Sequence, residues 1–280
     1  MASTRTAKLF IAGKQVRPDG NYSLPVLTSK GKNSRRGRLG QPQGHPRRCD
    51  SGARLQGLPE ATAYNRAQVL YYLAENLSGR TEEFAARIAE LTGAGHKAAK
   101  AEVEASIERL FYYAGMTDKF EGRVHQPPAR TVTLALHEPV GVIGIVPLTI
   151  HALRADLAAR PALAMGNTTV VVPSSTAPLV ATDLYQVLEY SDVPAGAINI
   201  VTGHTAELAA VLAKHDDVDG LWVVAEAEIC AKAEAESVGN LKRVWTGRPQ
   251  PRLADSPGRS LPPPCRRGQE RLGPIRRLGE

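Results

Sequence analysis

Val140-Gly-Val-Ile-Gly-Ile-Val146, Thr168-Thr-Val-Val-Val172, Ala197-Ile-Asn-Ile-Val201 and Asp219-Gly-Leu-Trp-Val-Val224 are short apolar runs within the stretch Leu136–Val224, and their reading decides the fold. They are rich in Val and Ile and lack polar alternation, as strands buried on both faces by crossover helices do. Between the second and third runs, Leu179, Leu184, Val187 and Leu188 recur on one face at helical spacing, and Pro178 suits a first helical turn. The order strand, helix, strand, helix predicts an α/β fold with a parallel, doubly wound sheet.

Working outward, Lys8–Val16 reads as two short strands around an Ala12-Gly13 turn. Thr62 is a plausible N-cap for a helix whose apolar face is Val69, Leu70, Leu73 and Leu77. A second helix is expected over Thr81–Leu91, with Glu82 and Glu83 in its first turn and Phe84, Ile88 and Leu91 inside. A third is expected over Glu102–Phe120, burying Val103, Ile107, Leu110, Phe111 and Ala114. In Arg130–His137, Val132, Leu134 and Leu136 alternate with polar or small residues, which predicts a strand with one buried face. Beyond Val224 the pattern predicts a helix over Glu226–Ser237 and a strand over Leu241–Trp245.

Two stretches carry no period. Residues 31–57 hold six Gly and six Arg, and residues 246–280 hold eight Arg, seven Pro and five Gly, with no aromatic residue in either. Both are expected to be irregular or disordered. The chain thus divides into an N-terminal hairpin segment (1–30), an irregular segment (31–57), one folded domain (58–245) and an irregular tail (246–280).

With 280 residues, 42% of them hydrophobic, the chain has enough apolar material for a sizeable core. No apolar run approaches the roughly 20 residues of a membrane span, and the start lacks the apolar core of a secretory signal. Cys49, Cys230 and Cys265 show no paired spacing, and His137, His151, His204 and His215 no metal-ligand spacing. No metal site, no membrane partner and a cytoplasmic setting are therefore expected. The formal charge of +7 is concentrated in the irregular segments, +6 in residues 31–57 and +5 in residues 246–280, which leaves −4 for the rest. Without aromatic interleaving or a binding motif, nucleic acid is not expected as a partner.

Five ordered words go further: Leu136-His-Glu-Pro-Val-Gly-Val-Ile-Gly-Ile-Val-Pro147, Pro161-Ala-Leu-Ala-Met-Gly-Asn-Thr168, Pro173-Ser174 with Pro178-Leu179, Val193-Pro-Ala-Gly-Ala-Ile-Asn-Ile-Val-Thr-Gly203 and His215-Asp-Asp-Val-Asp219. Their order and intervals resemble the cofactor-binding domain of the aldehyde dehydrogenase superfamily. Tyr64–Asn76 and Gly239–Trp245 resemble the second module of the two-module members. The resemblance implies a Rossmann-like cofactor domain with an N-terminal helical portion and no catalytic domain. It further implies NAD or NADP, a small aldehyde substrate, and a strand near 130–137 that joins a homo-oligomer or a partner aldehyde dehydrogenase subunit.

The positions that the resemblance assigns to chemistry are mostly substituted. Val146 and Pro147 end the first strand; where an Asn would donate to the oxyanion stands Thr149, either a shorter-reaching donor or a helix-start residue. The Lys and Glu that would grip the ribose are Val172 and Ser175, flanking Pro173 and Ser174. Ser175 suits a ribose hydroxyl, a 2′-phosphate or simply a turn. The glycines of the pyrophosphate approach are Ala225 and Cys230, and Glu226 puts a negative charge where an anion would sit. Cys230 reads most simply as a small buried residue. The general-base position falls at Gly247, and Cys265, the one cysteine nearby, lacks the sequence word around a nucleophile. These substitutions predict weak or lost cofactor binding and an inactive chain.

A base-shifted reading offers an origin for the irregular stretches. Permissible codons for Gln41–Cys49 can spell Asn-Arg-Lys-Asp-Ile-Arg-Asp-Ala-Val one base later, an amphipathic helix start. The same shift from Cys265 can spell Ala-Val-Glu-Val-Lys-Asn-Val-Trp-Val-Pro-Tyr-Gly, an aromatic, strand-like run.

Overall fold

Alternation of side chains across a pleat sends successive residues of a strand to opposite faces, and in this chain both faces are apolar. A computed structural model describes residues 8–17, 23–29, 33–38, 61–120, 122–125, 132–147, 153, 157–175 and 177–247. Its strands are β1 (Leu9–Ile11), β2 (Lys14–Val16), β3 (Ser23–Leu27), β4 (Asn33–Arg38), β5 (Arg123–His125), β6 (Thr133–Ala135), β7 (Val142–Pro147), β8 (Thr168–Val171), β9 (Ile198–Ile200), β10 (Gly220–Val224) and β11 (Arg243–Gly247). Its helices, here numbered in chain order, are α1 (Ala63–Ser78), α2 (Thr81–Thr92), α3 (His96–Met116), α4 (Arg160–Ala164), α5 (Pro178–Glu189), α6 (Thr205–Lys214) and α7 (Ala227–Glu236).

The main sheet has the order β11-β10-β7-β8-β9-β1-β2. Its first five strands are parallel, with Gly220 opposite Ile143, Val142 opposite Thr168 and Thr169 opposite Ile198. The hairpin β1–β2 joins antiparallel through Phe10 and Ile200. Ala12 and Gly13, both at positive φ, make its turn, the handedness that a two-residue hairpin loop requires. Ile143, Ile145, Val171, Ile198 and Trp222 face one layer, packed with α1–α5; Val142, Val146, Val170, Leu221 and Val223 face the other, packed with α6 and α7. Helices thus cover both faces, and the doubly wound expectation holds.

Thr62 caps α1, its Oγ1 accepting from the Asn65 amide at 3.2 Å. A polar seam crosses the helical layer: buried Glu102 accepts from the Leu153 amide at 2.9 Å, and buried Arg160 donates to the Ser106 carbonyl at 3.0 Å.

Several expectations need correction. Helix α3 begins at His96, not Glu102, because its N-cap is Gly95, which offers no side-chain signal. Phe111 is partly exposed, on the outer side of α3. Among the described residues, the strand expected within Arg130–His137 is Thr133–Ala135, paired with β5, and Val132, Leu134 and Leu136 are exposed rather than buried on one side. The segment 31–57 is not wholly irregular: Asn33–Arg38 pairs antiparallel with Ser23–Leu27, since ladder hydrogen bonds come from the backbone and require no apolar pattern. The last strand runs Arg243–Gly247, two residues beyond the expected Leu241–Trp245, and Leu241 is fully exposed. The tail beyond Gly247 and all of 39–60 lie outside the described residues. No helix among the described residues is long and apolar enough to cross a membrane.

Candidate functional site

In an open parallel sheet, ligands bind at the carboxyl ends of the strands where the strand order reverses. From β7 the chain lays β8 and β9 on one side, then returns to lay β10 and β11 on the other. The reversal therefore lies between β7 and β10, at the edge where Pro147 pairs with Val224.

The sequence-assigned positions collect along that edge. Val146 and Pro147 end β7, both buried. Pro173 and Ser174 follow β8, also buried, while Ser175 is exposed. Ala225 follows β10, buried, with its amide donating to the Gly247 carbonyl at 3.2 Å. Thr149 lies outside the described residues, as does Cys265.

What these residues offer chemically is limited. Val172 is 1% exposed and packs with the α6–α7 layer, so it presents no polar group at the edge. Helix α7 starts here, with Glu226 as its N-cap residue and Glu228 in its first turn, both exposed carboxylates. They occupy the positive end of the helix dipole, a favourable placement for them and an unfavourable one for any added anion. The buried Cys230 thiol lies 3.5 Å from the Ala225 carbonyl. Gly247 ends β11, and a Cβ there would meet the Trp245 ring at 3.2 Å. Among the described residues no group of three His, Cys, Asp or Glu could hold a metal ion.

The words that carried the resemblance turn out to hold structural pins, a role the sequence reading did not assign them. Asn167 Oδ1 accepts from the amides of Val140 (2.7 Å) and Gly141 (3.1 Å), fixing the start of β7. Asp219 Oδ2 accepts from the Val142 amide at 2.8 Å. Asn199 Oδ1 accepts from the Ala12 amide at 3.0 Å, while its Nδ2 donates to the carbonyls of Thr169 and Gly196. For Asn199, a lone amide between Ile198 and Ile200 in a buried strand is the signal that could have found it; Asn167 and Asp219 carry no such flank.

The sequence model of the aldehyde dehydrogenase family matches residues 50–246. A hydroxyisobutyraldehyde dehydrogenase of Mycolicibacterium austroafricanum is 38% identical over 169 residues, 59% of this chain and 33% of that protein. A betaine aldehyde dehydrogenase of Bacillus subtilis is 32% identical over 181 residues, 64% of this chain and 37% of that protein. The NAD+ complex of an aldehyde dehydrogenase from Bacillus cereus superposes with a TM-score of 0.82 at 24% identity, over 87% of this chain and 51% of that one. The chain thus spans about a third of the curated relatives' length and about half of the solved structure's.

Proposed function

The chain belongs to the aldehyde dehydrogenase family, and from that premise we propose that it descends from NAD(P)-dependent aldehyde oxidation but that this polypeptide does not carry the reaction out. The carrying observation is the carboxyl edge between β7 and β10. Its residues do not fit a dinucleotide: apolar Val172 and exposed Ser175 stand where the resemblance expects the ribose grip, and Glu226, with Glu228 in the same first helical turn, puts negative charge at the helix start where the resemblance expects the phosphates. Each hydrogen bond lost to a charged or ribose group weakens binding by roughly 1 kcal/mol or more. Gly247 supplies no general base. The purified chain is expected to produce no aldehyde-dependent NADH or NADPH and to bind NAD more weakly than about 1 mM by calorimetry. Turnover that disappears with Cys265→Ala, or micromolar binding, would overturn this reading.

The hairpin β5–β6 supports a second reading, a non-catalytic module that docks on an active aldehyde dehydrogenase. Val124 is 71% and Leu136 63% exposed, an apolar surface in want of a cover. Co-purification of the tagged chain with a full-length dehydrogenase tests it; elution of both as separate species argues against it.

The irregular stretches are read as translations out of frame. The family match stops at 246, where the Arg/Pro/Gly-rich tail begins, which supports the reading for the tail. The match begins at 50 and strand β4 lies within the earlier stretch, so support there is narrower. The coding DNA decides: a shifted frame that fails to spell the family-like words refutes the proposal.

A further inference from the structure

Helix α7 turns an apolar stripe outward. Cys230 and Ala233 are buried against the core, whereas Ala227, Ala231 and Ala235, four residues apart and so on one side of the helix, are exposed. The stripe runs on into Val238, 81% exposed, and the fully exposed Leu241 in the turn before β11. Two bare branched side chains at the end of such a stripe form a seat for another segment. Its rim is acidic: exposed Glu226, Glu228 and Glu234 against exposed Lys232 leave a charge of −2, and Glu236 is already paired with Lys214 at 3.2 Å. A second copy of α7 fits this seat poorly, because an antiparallel pair about Ala231 sets Glu228 opposite Glu234.

We propose that Arg248-Pro-Gln-Pro-Arg-Leu253 of this chain lies along α7 as a strap, with Arg248 and Arg252 on the acidic rim and Leu253 on Val238 and Leu241. The chain leaves β11 at the right place: the Gly247 carbonyl accepts from the Ala225 amide at 3.2 Å, so residue 248 follows beside the start of α7. A ten-residue helix is about 15 Å long, and six residues at about 3.3 Å each span about 20 Å, enough to pass its far end. Pro249 and Pro251 suit that extended course, since proline fixes φ near the polyproline value. Two arginines with no carboxylate among them match the rim's charge of −2, and Arg–carboxylate pairs add directional hydrogen bonds to the attraction. The polypeptide carries these charges whatever the origin of its tail. In this position the strap covers the start of α7 beside the β7–β10 edge and shields the apolar stripe from other chains.

The test is trypsin cleavage of the full chain, with the cuts after Arg252 and after Arg259 followed by mass spectrometry. Two variants release the strap in different ways: Val238→Asn with Leu241→Asn removes the apolar seat, and Glu228→Gln with Glu234→Gln removes the charge. None of these four residues belongs to either core cluster, so both variants keep the fold. At low salt the cut after Arg252 is expected to be about tenfold slower in wild type than in either variant, while the cut after Arg259 keeps one rate in all three. Raising the salt to about 0.5 M shortens the screening length to a few ångströms and is expected to remove the protection from wild type without any substitution. Equal cleavage after Arg252 in the three proteins, or protection indifferent to salt, overturns the strap. Protection that rises with protein concentration also overturns it, and gives the face to a second copy of the chain.

Discussion

Gly141 shows how closely one residue can be fixed. It sits at φ +131°, and a Cβ there would lie 2.0 Å from Asp219 Oδ2, the atom that accepts from the Val142 amide. Gly141→Ala is therefore expected to destabilise the chain by about 3 kcal/mol or more, combining backbone strain with the clash. In an Asp219→Ala background the clash is gone but the φ penalty remains, so the loss shrinks without vanishing; urea titrations of the four proteins measure the coupling. Equal losses in both backgrounds would mean that the carboxylate is not the obstacle. Asn199→Ala removes the side-chain hydrogen bonds to the Thr169 and Gly196 carbonyls and from the Ala12 amide. A loss of about 3 kcal/mol is expected, with exchange rising first in β1 and β2. At this scale the sequence named the right words but not their work: Asn199 looked like one polar letter in a strand, and only packing reveals that it joins β9 to the hairpin turn.

Elements were legible wherever burial imposes a period. The strands β7, β8, β9 and β10 are legible in the sequence nearly to their ends, and helix α5 from its start at Pro178, because each is buried along its length or along one face. Helix α3 was read short because Gly95 replaces a side-chain cap and the His96–Lys100 stretch buries only Ala99. Strand β4 shows no period because Asn33-Ser-Arg-Arg-Gly-Arg38 contains no apolar side chain. Charge pairs at element ends lie beyond periodicity too. Arg80, the N-cap residue of α2, binds Glu83 through Nε at 2.8 Å and Nη2 at 2.6 Å. That hydrogen bond holds the Glu83 carboxyl below the ordinary carboxylate range. A carboxyl lowered in the folded state contributes stability above its unfolded pKa, and the contribution is lost as pH falls through the folded value. The melting-temperature gap between wild type and Arg80→Ala should therefore be open at pH 7 and close as pH falls below about 4. A gap independent of pH would show that the pair does not act through Glu83 ionisation.

For the whole molecule, the question is which surfaces still seek a partner. The hairpin β5–β6 pairs only with itself among the described residues, and Val124, Val132, Leu134 and Leu136 stand 71%, 49%, 37% and 63% exposed around it. A two-stranded ribbon is marginal in water, and its open edges and apolar side chains suit pairing with another chain. If they are used, the purified protein should sediment as a concentration-dependent mixture rather than as a single 30.0 kDa species. Charge on such a ribbon opposes pairing through both desolvation and repulsion. Val124→Lys with Leu136→Lys is therefore expected to shift the mixture to monomer at the same concentration, with the urea midpoint unchanged, because neither residue belongs to either core cluster. Sedimentation velocity on the two proteins reads the outcome directly. Association that persists in the double variant would move the sticky surface elsewhere, with the exposed Tyr64 and Tyr72 of α1 next in line.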